Sequence, residues 1–205
     1  MVTAAAESAF KFDLSGGALC LDFANTVSNR GSDAPTERLH SYADFLAWSE
    51  QSGAATAAQA RDLSKLAAAH PTAAREALGQ LIEVREAIYR LFAAASAGKR
   101  PRPGDLALLN EQLPIALKRS RLAMAGERYA LRVEASGDDL ASPLAPVIKS
   151  AVELLTSPDV DRVRTCAADT CEWLFIDTTK NRTRRWCDMK ICGNREKVRR
   201  FRKRG

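Results

Sequence analysis

Histidine is almost missing from this chain. His40 and His70 are the only two in 205 residues, and the surrounding pattern places both at the ends of expected elements. A histidine-bearing metal site and a Ser/His/Asp arrangement are therefore both poorly supported. Neither Gly-x-x-x-x-Gly-Lys nor Gly-x-Gly-x-x-Gly occurs, which removes the common glycine-rich phosphate cradles. Asp62, Glu83 and Glu86 sit beside basic residues on expected helix surfaces, the ordinary solvated pattern. With no recognisable nucleophile, base or open metal site, the sequence predicts a protein that is not an enzyme. It also has no run of eighteen apolar residues, and its first ten residues lack a basic segment followed by a long apolar one. The expectation is no signal peptide, no membrane span and a cytoplasmic location, where thiols stay reduced.

Cysteine is scarce too, and its placement is lopsided. Four of the five fall in the last forty residues, as Cys166 and Cys171, then Cys187 and Cys192. Each pair encloses four residues, and fifteen separate the pairs. Two short cysteine turns facing one another supply the four converging thiolates that zinc prefers. Disulfides would need an oxidising compartment that nothing in the chain indicates. Unliganded thiols or a redox pair are the remaining alternatives. Four thiolates fill a tetrahedron and leave no position for water or substrate, so one structural Zn2+ is expected here as scaffold.

The residues between the cysteines fit that role. Trp173, Leu174, Phe175 and Ile176 read as a short strand, and Trp186 precedes the third cysteine. Gly193 is read as a tight turn and Asn194 as an N-cap. Arg195 to Arg204 then reads as a helix with Val198 and Phe201 facing the metal. Residues 162–205 carry fourteen Lys and Arg against five Asp and Glu, while the rest of the chain is net negative. Arg195, Arg199 and Arg202 share one stripe of the expected helix, and Lys197, Arg200 and Arg204 share another. Arg182, Arg184 and Arg185 form a second cluster, and Lys203 joins Arg202 as a candidate backbone contact. Uncompensated charge of one sign on a metal-held module suits a phosphate backbone. An acidic protein partner and plain solubility are the other readings.

These residues resemble a known family. Cys-x4-Cys, Leu174-Phe-Ile-Asp177, Asn181-Arg-Thr-Arg-Arg-Trp-Cys187 and Met189-x-x-Cys-Gly-Asn-Arg195 are similar to the CGNR zinc finger, with the name-giving tetrapeptide intact at 192–195. That finger follows an ABATE-type domain in bacterial proteins described as stress-induced transcription regulators. The resemblance implies a DNA-binding finger. Asp188 departs from the small residue expected after the third cysteine and sets an anion beside the basic surface. Upstream, Leu19-Cys-Leu-Asp-Phe-Ala-Asn-Thr26 resembles the opening of the ABATE-type domain, so the likeness spans both ends of the chain.

The upstream segments read as mainly helical. Cys20, Phe23, Ala24 and Val27 keep helical spacing, with Cys20 a small buried hydrophobe. Asp22, Asn25 and Thr26 are polar residues in an apolar stretch. Either they line a ligand pocket, with Arg85 as an anion contact, or they bond locally and Arg85 pairs with a carboxylate; the second reading is preferred. Ser41 and Thr56 cap two helices, and a long one spans about Ala73 to Ala97 with Glu86 pairing Arg90. Asp105 to Lys118 forms another, with Pro114 a kink or end. Leu122 to Met124 and Tyr129 to Val133 make a β-hairpin. Ser142-Pro143 opens a last helix to about Leu155.

The expected architecture is mainly α with a small β-hairpin: a helical domain over 1–158, and a four-cysteine finger over 159–205 with short β elements and one basic helix. The expected function is DNA-binding transcription regulation, the upstream domain serving as sensor or assembly unit. The alternatives are an RNA-binding or ribosome-associated module and a zinc-thiolate redox sensor. DNA is the expected partner, RNA an alternative, and homo-oligomerisation and a small-molecule signal are left open. Exposure of Trp186 or Phe201 would favour single-stranded RNA.

Overall fold

The computed structural model describes residues 10–133 and 135–202. Its organising element is the helix α4, Pro71–Ser96, against which most of the other elements pack. Proline begins it, where a missing N–H costs nothing. Leu78, Leu81, Val84, Ile88, Leu91 and Phe92 form its buried stripe. Around it lie α1 (Leu19–Ala24), α2 (Tyr42–Ser52), α3 (Ala57–Ala69), α5 (Pro103–Lys118) and α6 (Leu144–Leu155). Phe23, Phe45 and Trp48 pack ring on ring within the same core.

Local chemistry sets the helix starts. Both α2 and α3 carry complete capping boxes, Ser41 with Asp44 and Thr56 with Gln59, each satisfying two orphan N–H groups. α5 runs through Pro114 to Lys118 without ending there. α6 starts at Leu144, and Ser142 is not its cap: its hydroxyl donates to the Ser136 carbonyl at 2.6 Å. α1 is shorter than its spacing suggested. Thr26 Oγ1 donates to the Phe23 carbonyl at 2.8 Å, and the chain leaves the helix for β1 (Val27–Ser28), paired with β2 (Thr36–Glu37).

The hairpin β3 (Ser120–Ala125) and β4 (Arg128–Val133) is antiparallel and largely exposed. After a short 3-10 turn, β5 (Val163–Thr165) pairs with β6 (Leu174–Ile176). Val163 and Leu174 are fully buried members of the main helical core. The C-terminal module is thus rooted in the upstream domain. Among the described residues no helix is long and apolar enough to cross a membrane.

One expected pair is different in the structure. Glu86 bonds Arg30 and Arg85, whereas Arg90 reaches Asp105 at 2.6 Å and ties α4 to α5. A helical spacing of four permits a pair, but a partner from another element displaced it.

Candidate metal centre and nucleic-acid interface

Past β5 the chain makes its first cysteine turn. Cys166 N–H donates to the Trp173 carbonyl at 2.7 Å, closing the turn at its base, and Cys171 N–H donates to Ala168 at 3.0 Å. Ala167 N–H donates to the Arg185 carbonyl at 2.8 Å, joining the first turn to the second. The second turn is built by Asp188. Its carboxylate accepts from Ile191 N–H at 2.8 Å, and its carbonyl accepts from Cys192 and Gly193 N–H, winding Met189–Gly193 as a π turn. The anion noted in the sequence therefore caps this turn. Asn194 is already helical and is not an N-cap; its side-chain amide donates to the Lys190 carbonyl at 2.9 Å. Gly193 is not left-handed; a Cβ there would press on the Met189 sulfur.

The two turns bring Cys166, Cys171, Cys187 and Cys192 together. All four are buried, all are free thiols, and their sulfurs lie within 4.8 Å of one another. Cys187 Sγ stands 3.7 Å from Cys171 Sγ and 3.6 Å from Cys192 Sγ. A zinc ion bound at about 2.3 Å by four thiolates has sulfurs about 3.8 Å apart, whereas a disulfide needs about 2 Å. The donor set and spacing fit one structural zinc. The electrostatics agree: hydrogen bonds from Cys171 and Cys187 pull the Cys166 thiol down, and giving those bonds pushes Cys171 and Cys187 up. Four close sulfurs share negative charge poorly until a dication neutralises it. Cys187 N–H also donates to Cys166 Sγ at 3.4 Å, orienting a ligand from outside the first ring of contacts.

Asp177 and Arg184 hold the segment between the turns. Asp177, fully buried, accepts from Thr179 N–H and hydroxyl and from Arg184 N–H. Desolvation works against its charge, but those hydrogen bonds outweigh it and keep the carboxyl below its usual range. The Arg184 guanidinium donates to the Trp186 and Cys187 carbonyls and lies 4.5 Å over Phe175. That arginine, expected as a phosphate contact, braces the segment between the turns. Trp173 and Trp186 pack against the sulfur cluster.

The final helix α7, Asn194–Arg202, faces opposite to expectation. Val198 and Phe201 are 51% and 82% exposed, while Glu196 is buried. Arg199 bonds Glu196 at 2.9 Å and also Asp169 of the first cysteine turn, so it is an internal strut within the expected basic stripe. The π turn adds a residue to the helical phase just before α7, which periodicity alone does not reveal. Arg182, Arg185, Arg195, Lys197 and Arg202 are exposed and take no carboxylate partner among the described residues. The side chain of Arg200 and the whole of Lys203 and Arg204 lie outside the described residues.

Asp22 and Asn25 line one cavity, and Arg85 is not part of its lining. Arg85 is buried and saturated, bidentate to Glu37 at 2.6 and 2.7 Å, with further bonds to Glu86 and Thr26. Asn25 clasps β6: its amide donates to the Leu174 carbonyl at 2.8 Å and its oxygen accepts from Leu174 N–H at 2.9 Å. Trp173 Nε1 donates to the Val27 carbonyl at 2.8 Å, and Ile176 N–H to Gly16 at 2.9 Å. The opening motif is thus a socket for the C-terminal module, a role with no short-range signal in the sequence. Asp22 accepts from Gly16 N–H at 2.8 Å, and burial pushes its carboxyl up to about 6.

Comparison with known families gives two matches in this order. Residues 17–158 match ABATE, described as "Putative stress-induced transcription regulator", and residues 162–205 match the CGNR zinc finger. No curated protein matches the chain. With more than half its length inside the first match and the four-cysteine cluster inside the second, the chain belongs to the ABATE family and carries a CGNR zinc finger.

Proposed function

We propose that this protein is a DNA-binding transcription regulator whose zinc-held finger grips duplex DNA. The observation that carries this reading is the set of exposed cations, Arg182, Arg185, Arg195, Lys197 and Arg202, left without carboxylate partners among the described residues of one module. Such a surface attracts a phosphate backbone and releases counterions on binding. The four thiolates leave the metal no open position, so zinc supplies folding energy and no chemistry, and we assign no enzymatic role. A footprint with zinc-loaded full-length protein on random duplexes tests the reading. Protection of a defined sequence supports it; no protection at any salt concentration contradicts it.

One observation favours a second reading. Phe201 is exposed amid basic side chains, the pairing that single-stranded nucleic acids use for base stacking. Trp186, the other candidate, packs on the sulfur cluster instead. Competition between duplex DNA and single-stranded RNA separates the two. If stacking dominates, Phe201→Ala weakens single-strand binding by about 1–3 kcal/mol; on the duplex reading RNA competes poorly and Phe201→Ala changes little.

A further inference from the structure

Between the opening motif and the finger lies a cleft of two lobes that meet at Asp13, Ser28, Arg38 and Trp173. The outer lobe, about 150 Å³, reaches the cysteine turns and Arg195. The inner lobe, about 160 Å³, reaches Asp22 and the rings of Phe10 and Phe12. Arg38 is held in place without being neutralised. Its Nε donates to Ser28 Oγ at 3.3 Å, its guanidinium lies 4.8 Å over Phe10, and no carboxylate among the described residues pairs with it. Arg195 is likewise unpaired among them. On the other side, Asp22 gives one oxygen to Gly16 N–H, and its second takes no hydrogen bond among the described residues.

The lining carries ionised side chains of both signs, and its outer wall includes the metal ligands Cys171, Cys187 and Cys192, whose thiolates are committed to the zinc. Asp13, Asp22 and Asp188 oppose Lys11, Arg38 and Arg195. A polyanion would meet three carboxylates and a polyamine three cations, so each is disfavoured. A small molecule carrying one charge of each sign, with an apolar body for Phe12 and Trp173, satisfies all of it. From this cleft we infer an effector site for an amino-acid-like zwitterion, its carboxylate on Arg38 and Arg195 and its ammonium toward Asp22 and Asp13. Two lobes of this volume suit a metabolite and are at the lower limit for larger ligands. The walls come from both ends of the chain, so an occupant holds the finger and the upstream domain together. On the duplex reading above, it also draws Arg195 away from phosphate and lowers DNA affinity; the site itself does not depend on that reading.

The test uses zinc-loaded full-length protein without DNA, titrated with the common L-amino acids by calorimetry and thermal shift. At least one with an apolar side chain should bind saturably and raise the melting temperature. Its amine and its carboxylic acid counterparts, each lacking one charge, should bind about tenfold more weakly or worse. Arg38→Gln should remove the preference for the carboxylate, and Asp22→Asn, which keeps the acceptor for Gly16, the preference for the ammonium. Zinc content should be unchanged in both. No saturable ligand in the panel, or a ligand whose one-charged counterparts bind equally well, overturns the proposal.

Discussion

Side chains of the same type have opposite fates here, and local environment decides which. Arg199 and Arg202 were indistinguishable by charge and helical spacing, yet Arg199 bridges Glu196 and Asp169 while Arg202 is exposed. Arg199→Ala should therefore lower the melting temperature of the zinc-loaded protein, because it leaves the buried Glu196 without one of its partners. Arg202→Ala should leave melting unchanged, and a nucleic-acid titration alone should register it. Asp22 gives a pH signature. Its carboxyl is raised, chiefly by burial and further by Asp13, so the folded state holds its proton to higher pH than the unfolded chain does. That makes a destabilising contribution absent below the unfolded value near 3.9, growing as pH rises, and complete above about 6. Asp22→Asn should thus melt at higher temperature than the parent at pH 7, with the gap closing toward pH 5. A gap that widens on acidification would contradict this.

The elements were legible in the sequence where the signal was local. Ser41 and Thr56 announced their helices as caps, and in the structure each is part of a complete capping box, with Asp44 and Gln59 respectively. The cysteine spacing likewise gave the metal ligands, since each turn is closed by its own neighbours. What could not be read depended on contacts distant in sequence or on helical phase. Asn25 bonds a strand 149 positions away, and the phase of α7 is set by the π turn that Asp188 starts. The Val198/Phe201 seam was visible as a spacing, but spacing does not say which way a seam faces. Exposed as it is, Phe201→Ala should change stability by no more than about 0.5 kcal/mol. Asn25→Ala strands two buried backbone groups of Leu174 and should cost about 2 kcal/mol or more. Urea denaturation of the two variants side by side distinguishes these outcomes.

On the scale of the whole molecule, the finger is an extension of the helical core. β5 and β6 carry Val163 and Leu174 into it, and the bonds from Asn25, Trp173 and Ile176 fasten the cysteine turns to residues 16–27. Removing zinc with a chelator should therefore disturb the opening motif as well as the C-terminal segment, seen as faster amide exchange around residues 16–31. On the proposed function, this composite presents the exposed cations of the zinc-held finger to duplex DNA. The most direct test is a salt titration of DNA affinity with the zinc-loaded full-length protein. If about five phosphates are neutralised, log K falls with log salt at a slope of about −4.5, and Arg202→Ala flattens it by about one unit. A slope near zero, or one that zinc removal leaves unchanged, would contradict the account.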